Sequence, residues 1–322
     1  MSSSILVTGA TGFVGHAVVN ELAKRGRVVM AGVRQGSSDS FFKAPTSVET
    51  VSLGDLSDEP AFGDVFSSID TVVHCAARAH VMNERGTDLL STYRKHNTQA
   101  TLNLARQAAM AGVRRFVFIS TIKVNGEQTS LGLPFTEGDV LAASDPYGVS
   151  KLEAEQGLLE LAKELTMDVV IIRPVLVYGK GVKGNFATMI RLVNSGIPLP
   201  FGQIANKRSL VSLDNLVDLI ITCIDHPKAV NQVFLAGDGD DVSTTQLLRQ
   251  LAQAMGKPSR LVRVPLFVLA MLATMFGKKA AVQRSLGSLQ VDISKSRSIL
   301  NWQPIVSLEE GLKRCFESEK QG

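Results

Sequence analysis

Residues 4–15 read Ser-Ile-Leu-Val-Thr-Gly-Ala-Thr-Gly-Phe-Val-Gly, SILVTGATGFVG. Ser4–Thr8 is an almost unbroken apolar and β-branched run, the pattern of a parallel strand buried on both faces. Gly9, Gly12 and Gly15 then fall three apart, and Val14–Arg25 carries a helix pattern. Gly9 permits a tight turn, Gly12 lets the backbone come close to a ligand, and Gly15 lets helix and strand pack tightly. A helix N-terminus offers N–H groups and the positive end of a dipole. The turn is therefore expected to cradle the pyrophosphate of a dinucleotide through Gly9, Thr11, Gly12, Phe13, Val14 and Gly15. A purely structural turn is the alternative; its place directly after the first strand favours the phosphate site.

Beyond Arg25, short apolar runs alternate with helix patterns. Val28–Val33, Val48–Leu53, Thr71–His74, Arg115–Ser120 and Asp168–Arg173 are expected strands; Asp58–Ser67, Thr87–Ala111 and Gly148–Leu165 are expected helices. This rhythm predicts right-handed βαβ units and an α/β, doubly wound parallel sheet of the Rossmann type. After Pro174 a series of Gly and Pro residues breaks the chain into loops around a helix near Phe186–Asn194. Asp214 is expected to cap an apolar helix, Ser243 another at Thr244–Met255, and Leu308–Glu319 to form the last. The expected division is residues 1–175 for a cofactor and 176–322 for a smaller mixed α/β substrate lobe, with the segment near 210–225 returning to the first.

The 322 residues are 45% hydrophobic and 20% charged, ordinary globular usage that excludes a disordered chain, a collagen-like fibre or a coiled coil. Lys and Arg number 34 against 30 Asp and Glu, a balance of +4 without a basic run, so no nucleic-acid partner is expected. Cys75, Cys223 and Cys315 stand far apart, and the five His show no HxxxH or HExxH spacing, so no metal is expected. Such cysteines suit a reducing compartment, and MSSSILVTGA lacks a signal-peptide pattern; the expected location is cytoplasmic. The longest apolar stretch, Val264–Phe276, is about 13 residues with Pro265 inside, short of the 20 or so of a membrane span. A buried or oligomer-forming helix is expected there, and an interfacial one ahead of Lys278 and Lys279 is the alternative.

The second strand ends Ala31-Gly32-Val33-Arg34. An NAD-selective site places Asp or Glu where Val33 stands. Arg34 beside it suits a 2′-phosphate, so NADP(H) is the expected cofactor and NAD(H) the alternative, unless Arg34 is simply solvated. Asp55 and Leu56 are expected at the adenine, or else form a plain Asp turn. Ala76 and Ala77 are small enough for the cofactor to cross the sheet edge, while His74 reads as a packed strand-end residue. The fifth strand runs into Thr121, and Asp145-Pro146-Tyr147-Gly148-Val149-Ser150-Lys151 follows. Tyr147 and Lys151, at i and i+4, share one helix face. An ammonium beside a phenol stabilises the phenolate and moves its pKa down from about 10. Tyr147 is thus expected to exchange a proton with a sugar oxygen held by Thr121, and Lys151 also to bind the nicotinamide ribose.

With TGATGFVG, Asp55, HCAA, Asn97, FVFIST, Tyr147-Gly-Val-Ser-Lys151 and Arg173-Pro174, the chain resembles the extended short-chain dehydrogenase/reductase family, epimerase/dehydratase type, over nearly its whole length. The resemblance implies that Asn97 orders the proton relay around Lys151 and that Pro174 borders the cofactor. It implies a homodimer paired through Thr87–Ala111 and Gly148–Leu165. It also implies a UDP-sugar substrate. Arg208 in KRSLVSLD is similar to the family's diphosphate-gripping Arg, Asn185 to a position meeting the same diphosphate, and LNWQP at 300–304 to its closing L-G-W-x-P. Arg284 is either a second phosphate ligand or a surface cation.

The departures narrow the activity. Ile122-Lys123 stands where similar dehydratases carry Asp-Glu, so 4,6-dehydration is not expected, and Val124-Asn125-Gly126 replaces the V-Y-G of many epimerases. STIKVNGE resembles a subgroup of bacterial surface-polysaccharide (lipopolysaccharide and O-antigen) pathways that holds 4-epimerases and 4-ketoreductases. An epimerase recycles its cofactor, whereas a net reductase must exchange NADPH. Arg34 therefore makes reduction of a UDP-4-keto-6-deoxy-N-acetylhexosamine, to the N-acetylquinovosamine or fucosamine sugar, the expected activity. UDP-glucose or UDP-N-acetylglucosamine 4-epimerisation with recycled NAD is the alternative. Reduction of small hydrophobic ketones is opposed by Arg208, Asn185 and Trp302, and a non-catalytic cofactor sensor by the presence of both Tyr147 and Lys151.

Overall fold

Strands β1 (Ser4–Thr8), β2 (Val29–Val33), β3 (Glu49–Ser52), β4 (Ile69–His74), β5 (Arg115–Ile119) and β6 (Asp168–Pro174) run parallel in a computed structural model. The structure describes residues 4–34, 47–79, 88–265, 267, 268, 271 and 286–317. Two short strands, β7 (Leu176–Tyr178) and β8 (Leu210–Ser212), pair with each other, and β9 (Gln232–Ala236) joins the large sheet, giving the order β3-β2-β1-β4-β5-β6-β9. The order reverses between β1 and β4, the place where a doubly wound sheet opens a crevice at its carboxyl edge.

The near-continuous apolar runs have a simple cause: successive side chains enter different cores. Ile5 and Val7, Val117 and Ile119, and Val170 and Ile172 face one side. Leu6, Phe116 and Phe118, and Val169 and Ile171 face the other. The first side is covered by α1 (Phe13–Lys24) and, from far along the chain, α6 (Leu213–Asp225). The second is covered by α3 (Ala100–Met110) and α4 (Pro146–Glu164). Helix α2 (Leu89–Tyr93) leads into α3 through a π-helical segment, Arg94–Gln99. Helix α4 begins sharply because the Asp145 carboxylate accepts from Gly148 N (2.9 Å) and Pro146 takes the first helical position.

Further along, α5 (Gly184–Asn194), α7 (Thr244–Ala254) and α9 (Leu308–Arg314) build a third core around Tyr178, Phe186, Leu247, Leu251 and Leu312. Helix α8 (Ser294–Leu300) precedes the LNWQP segment, whose Trp302 indole donates to Asp218 Oδ2 (3.0 Å). Among the described residues no helix is long and apolar enough to cross a membrane; most of Val264–Phe276 lies outside them.

Three local expectations change. Asp58–Ser67 is two short 3₁₀ turns, Leu56–Asp58 and Gly63–Phe66, because Pro60 denies a donor and Gly63 turns with φ +51°. The cap of α6 is Ser212, whose hydroxyl accepts from Asn215 N; Asp214 sits in the first turn. Helix α9 ends at Arg314, earlier than the expected Glu319.

Helix α6 is fastened at both ends by buried polar groups. Arg115, 2% exposed, donates through Nη1 to the carbonyls of Cys223, Ile224 and His226 at 2.8–3.0 Å, supplying partners a helix C-terminus lacks. At the other end Asn215 Oδ1 accepts from Ile305 N and Val306 N, and its Nδ2 donates to Asp238 Oδ1 and to Val306 O, all at 2.7–2.9 Å. Removing such a side chain strands every partner in a dry place, at about 1–3 kcal/mol per group left unmade. Asn215→Leu is expected to destabilise the protein by about 3 kcal/mol, read from the midpoint of urea unfolding at unchanged slope; a cost under about 1 kcal/mol would show that the tail does not depend on this residue.

Candidate active site

At the carboxyl edge of β1 the chain turns through Gly9 at φ +66°. A Cβ there would fall 2.7 Å from Ala76 N and 2.8 Å from Ala76 Cα, and one on Gly15 would strike the Gly9 carbonyl. Only glycine lets the turns after β1 and β4 meet and α1 start beneath them. Gly12 caps α1 with no side-chain hydrogen bond, so the first-turn N–H groups of Phe13, Val14 and Gly15 face the edge beside exposed Thr11 and Gly12. Ala76 N bonds back to Thr8 Oγ1 (3.4 Å), and Ala77 stands exposed next to it. This cradle fits a dinucleotide pyrophosphate through backbone donors.

Past β2, Arg34 is 74% exposed, with its Nη1 3.9 Å from Asp55 Oδ2. Asp55 Oδ1 accepts from Ser57 N (2.9 Å) and Ser57 Oγ (2.8 Å), which holds its carboxyl below the usual range and caps the turn carrying Leu56. The cation expected to meet a 2′-phosphate thus already has a carboxylate beside it. His74 lies buried between Thr8 Oγ1 (2.7 Å) and Thr101 Oγ1 (3.0 Å), a packed strand-end residue.

Asn97 sits in the π segment, a form of helix that often marks functional positions. Its Oδ1 accepts from Arg78 N (2.8 Å), and its Nδ2 donates to Arg78 O and Ser150 Oγ (both 3.1 Å). Thr98 Oγ1 donates to Ser150 O (2.8 Å). The long helix thereby grips α4 between Tyr147 and Lys151. Tyr147 meets Tyr93 edge-on, ring centroids 5.9 Å apart. Lys151 is buried, its Nζ 3.8 Å from the centroid of the Phe118 ring. Thr121, two residues past β5, caps the 3₁₀ turn Ile122–Val124, its hydroxyl accepting from Lys123 N (3.4 Å).

Burial pushes Lys151 down to about 7, against the pull of Glu155. Burial also pushes the Tyr147 phenol up, with Asp145 and Tyr93 acting in the same direction. In the protein alone, burial thus opposes the lowering of the phenol expected from Lys151.

Beneath these groups lies a buried network. Arg173 forks onto Glu155 (Nε to Oε1 3.0 Å, Nη2 to Oε2 2.6 Å), Ser120 Oγ donates to Glu155 Oε1, and Arg173 Nη1 donates to Asn125 Oδ1 (3.0 Å). Glu155 was within reach of sequence reasoning: Tyr147, Lys151 and Glu155 fall at i, i+4 and i+8, a polar stripe on a face that should be apolar.

The residues expected at the substrate are more scattered. Arg208 is half-buried, bridged to Val242 and Leu289 and donating to Gly287 O (3.2 Å). Asn185 is exposed in the first turn of α5, Pro174 is buried at the end of β6, and Arg284 lies outside the described residues. A cavity of about 480 Å³ between β7, α6 and α9 is lined by Lys180, Asp214, Glu310 and Arg314, and by none of the residues expected in the site.

A family model described as the NAD dependent epimerase/dehydratase family matches residues 5–237. The chain is 50% identical to a UDP-glucose 4-epimerase of Vibrio cholerae, covering 99% of this chain and 96% of that one. It is 26% identical to an N-acetyl-alpha-D-glucosaminyl-diphospho-ditrans,octacis-undecaprenol 4-epimerase of Escherichia coli O157:H7, at 99% and 96% coverage. A solved UDP-glucose 4-epimerase of Thermotoga maritima with UDP-glucose superposes with a TM-score of 0.76, 25% identical and covering 97% of each chain.

His74 gives the site an acid-sensitive element. Burial lowers it from 6.5 to about 3, with Lys151 adding to the effect. Between those values the unfolded chain binds a proton that the folded one refuses, so stability is present above about 6.5 and lost as pH falls toward 3. The loss is expected to reach a few kcal/mol by pH 4 in urea unfolding, and His74→Gln is expected to flatten that slope; equal slopes in both proteins would exclude His74 as its source.

Proposed function

The chain belongs to the NAD-dependent epimerase/dehydratase family, and from that membership we propose that it is a nucleotide-sugar 4-epimerase, interconverting UDP-glucose and its C4 epimer with a retained NAD. The observation that carries this is the 50% identity to the Vibrio cholerae UDP-glucose 4-epimerase over nearly both full chains. Thr121, Tyr147 and Lys151 around the carboxyl edge of the sheet are consistent with it.

NAD, when bound, supplies the hydride acceptor and donor at C4 of the sugar. The glycine turn at residues 9–15 would hold its pyrophosphate, Asp55 and Leu56 its adenosine end, and Ala76, Ala77 and Pro174 the walls of the crevice. Thr121 Oγ1 and Tyr147 Oη would hold the C4 oxygen; as the phenolate, Tyr147 would take the hydroxyl proton while C4 loses hydride and a carbonyl forms, and as the phenol it would return the proton when the carbonyl is reduced from the other face. Lys151 supplies positive charge beside that oxygen, and Asn97 fixes the helix turn on which both groups ride. Residues 176–322 would bind the sugar nucleotide, with Arg208 and Asn185 at its diphosphate. A homodimer through α3 and α4 belongs to the same proposal.

The net reduction of a 4-keto sugar expected from Arg34 gives way to epimerisation. With Asp55 at its side and 74% of its side chain exposed, Arg34 suits a ribose diol as well as it suits a phosphate, and the relative that is 50% identical is a UDP-glucose 4-epimerase. NAD is therefore the proposed cofactor.

Purified protein given UDP-glucose and no added cofactor is expected to form the C4 epimer. Tyr147→Phe is expected to lower that rate by about 10²–10⁴-fold while the NAD released on denaturation stays constant. Stoichiometric NADPH consumption with a UDP-4-keto-6-deoxy-N-acetylhexosamine, and no UDP-hexose interconversion, would replace this assignment with the reductase. Arg34→Ala is expected to leave NAD content unchanged; its loss would mean that the cation holds cofactor phosphate.

A further inference from the structure

The 3₁₀ turn Ile122–Val124 lies against the first turn of α4 so closely that a Cβ on Gly148 would fall 3.2 Å from the Lys123 carbonyl oxygen and 3.3 Å from the Lys123 Cβ. Lys123 N donates to Thr121 Oγ1 (3.4 Å), and Lys123 Nζ donates to Asp145 Oδ2 (2.7 Å). The same Nζ stands 5.9 Å from the centroid of the Tyr147 ring. The other oxygen of Asp145 is the helix cap, accepting from Gly148 N. One lysine is therefore bonded to the threonine and the cap and stands near the tyrosine ring.

The charged and titratable groups around Tyr147 come from three elements. Its own helix carries Asp145 just before it and Lys151 one turn on; α2 offers Tyr93; the 3₁₀ turn offers Lys123. Asp145 is a carboxylate beside a phenol that must become an anion, and like charge opposes that. Lys151 Nζ is buried against Phe118, whereas Lys123 Nζ is bonded to Asp145 itself. A mere cap would not need this partner, since Asp alone closes a helix start.

We propose that Lys123 is a positioning residue for proton transfer at Tyr147: bound to Asp145, it cancels the charge that opposes the phenolate and ties the helix start that carries Tyr147 to the turn that carries Thr121. The proposal rests on the epimerase assignment only in taking Tyr147 as the proton-transfer group.

The test follows the phenolate directly, as the ultraviolet absorbance difference between each protein, purified with its cofactor, and the same protein carrying Tyr147→Phe. Lys123→Met is expected to raise the titration midpoint by about one pH unit, Asp145→Asn to lower it, and the double variant to return near the wild-type value. Asparagine keeps the cap, so Asp145→Asn retains the helix start. In turnover, Lys123→Met is expected to lose about tenfold in kcat below the midpoint and to regain it as pH rises, with KM unchanged and Lys123→Arg restoring activity. Shifts in the same direction for both single variants, or no shift in titration and kcat profile alike, would overturn the proposal and leave Lys123 a structural partner of the cap. The absorbance titration needs no sugar, so failure of UDP-glucose turnover would overturn the substrate assignment and leave this result readable.

Discussion

Glu155 sits where several parts of the chain meet. From α4 its carboxylate receives the forked guanidinium of Arg173 at the end of β6 and the hydroxyl of Ser120 at the end of β5. Arg173 reaches on to Asn125, whose amide holds the Thr136 carbonyl at 2.9 Å. The two charged side chains are 2% and 4% exposed. Ions so far from water cost several kcal/mol each to bury, and only complete pairing offsets the cost; loss of one partner typically removes about 3–5 kcal/mol. The value of the cluster is therefore one of position. Thr121 follows Ser120 directly, Lys151 is one helical turn from Glu155, and Tyr147 is two. Strand ends and helix can be satisfied in one relative placement, which is what a proton-transfer site needs.

The electrostatics inside that frame push toward neutrality. Lys151 is driven down to about 7 and the Tyr147 phenol upward by the same exclusion of water. His74 and Cys75 at the end of β4 move toward their uncharged forms as well, Cys75 up to about 12. A crevice walled by uncharged groups strengthens whichever charges are finally placed in it, because little dielectric screening remains. Two contacts then matter beyond their size: the Glu155 carboxylate, which favours an ammonium at Lys151, and the Lys123–Asp145 pair at the start of α4.

Most of this fold is legible in the sequence, for an identifiable reason. Runs such as SILVT, RFVFIS and DVVIIR are apolar without alternation because adjacent residues enter separate cores, and the glycine spacing after the first run leaves one kind of turn. Tyr147 and Lys151 are legible because a helix turn places i and i+4 together. What escapes sequence reading depends on partners distant in the chain. Asp58–Ser67 is an exception, since Pro60 and Gly63 that break it stand in the segment itself. Arg34 reads as a phosphate ligand until Asp55, from another strand end, stands beside it. Lys123 looks like a solvated charge in sequence; Asp145 gives it meaning.

The route of the chain also has a consequence for its synthesis. The sheet receives its last strand only at Gln232–Ala236, the face above β1 is covered by a helix at 213–225, and that helix is tied down by residues 302–306. While a ribosome makes the protein, the first two hundred residues emerge with one sheet edge unpaired and one apolar face covered by α1 alone. Exposed edges and faces of this kind are sites of non-native association. Contacts this distant in sequence also form slowly. The late-arriving segments thus act as a closing seal, and shortening the chain from its end exposes its oldest core first.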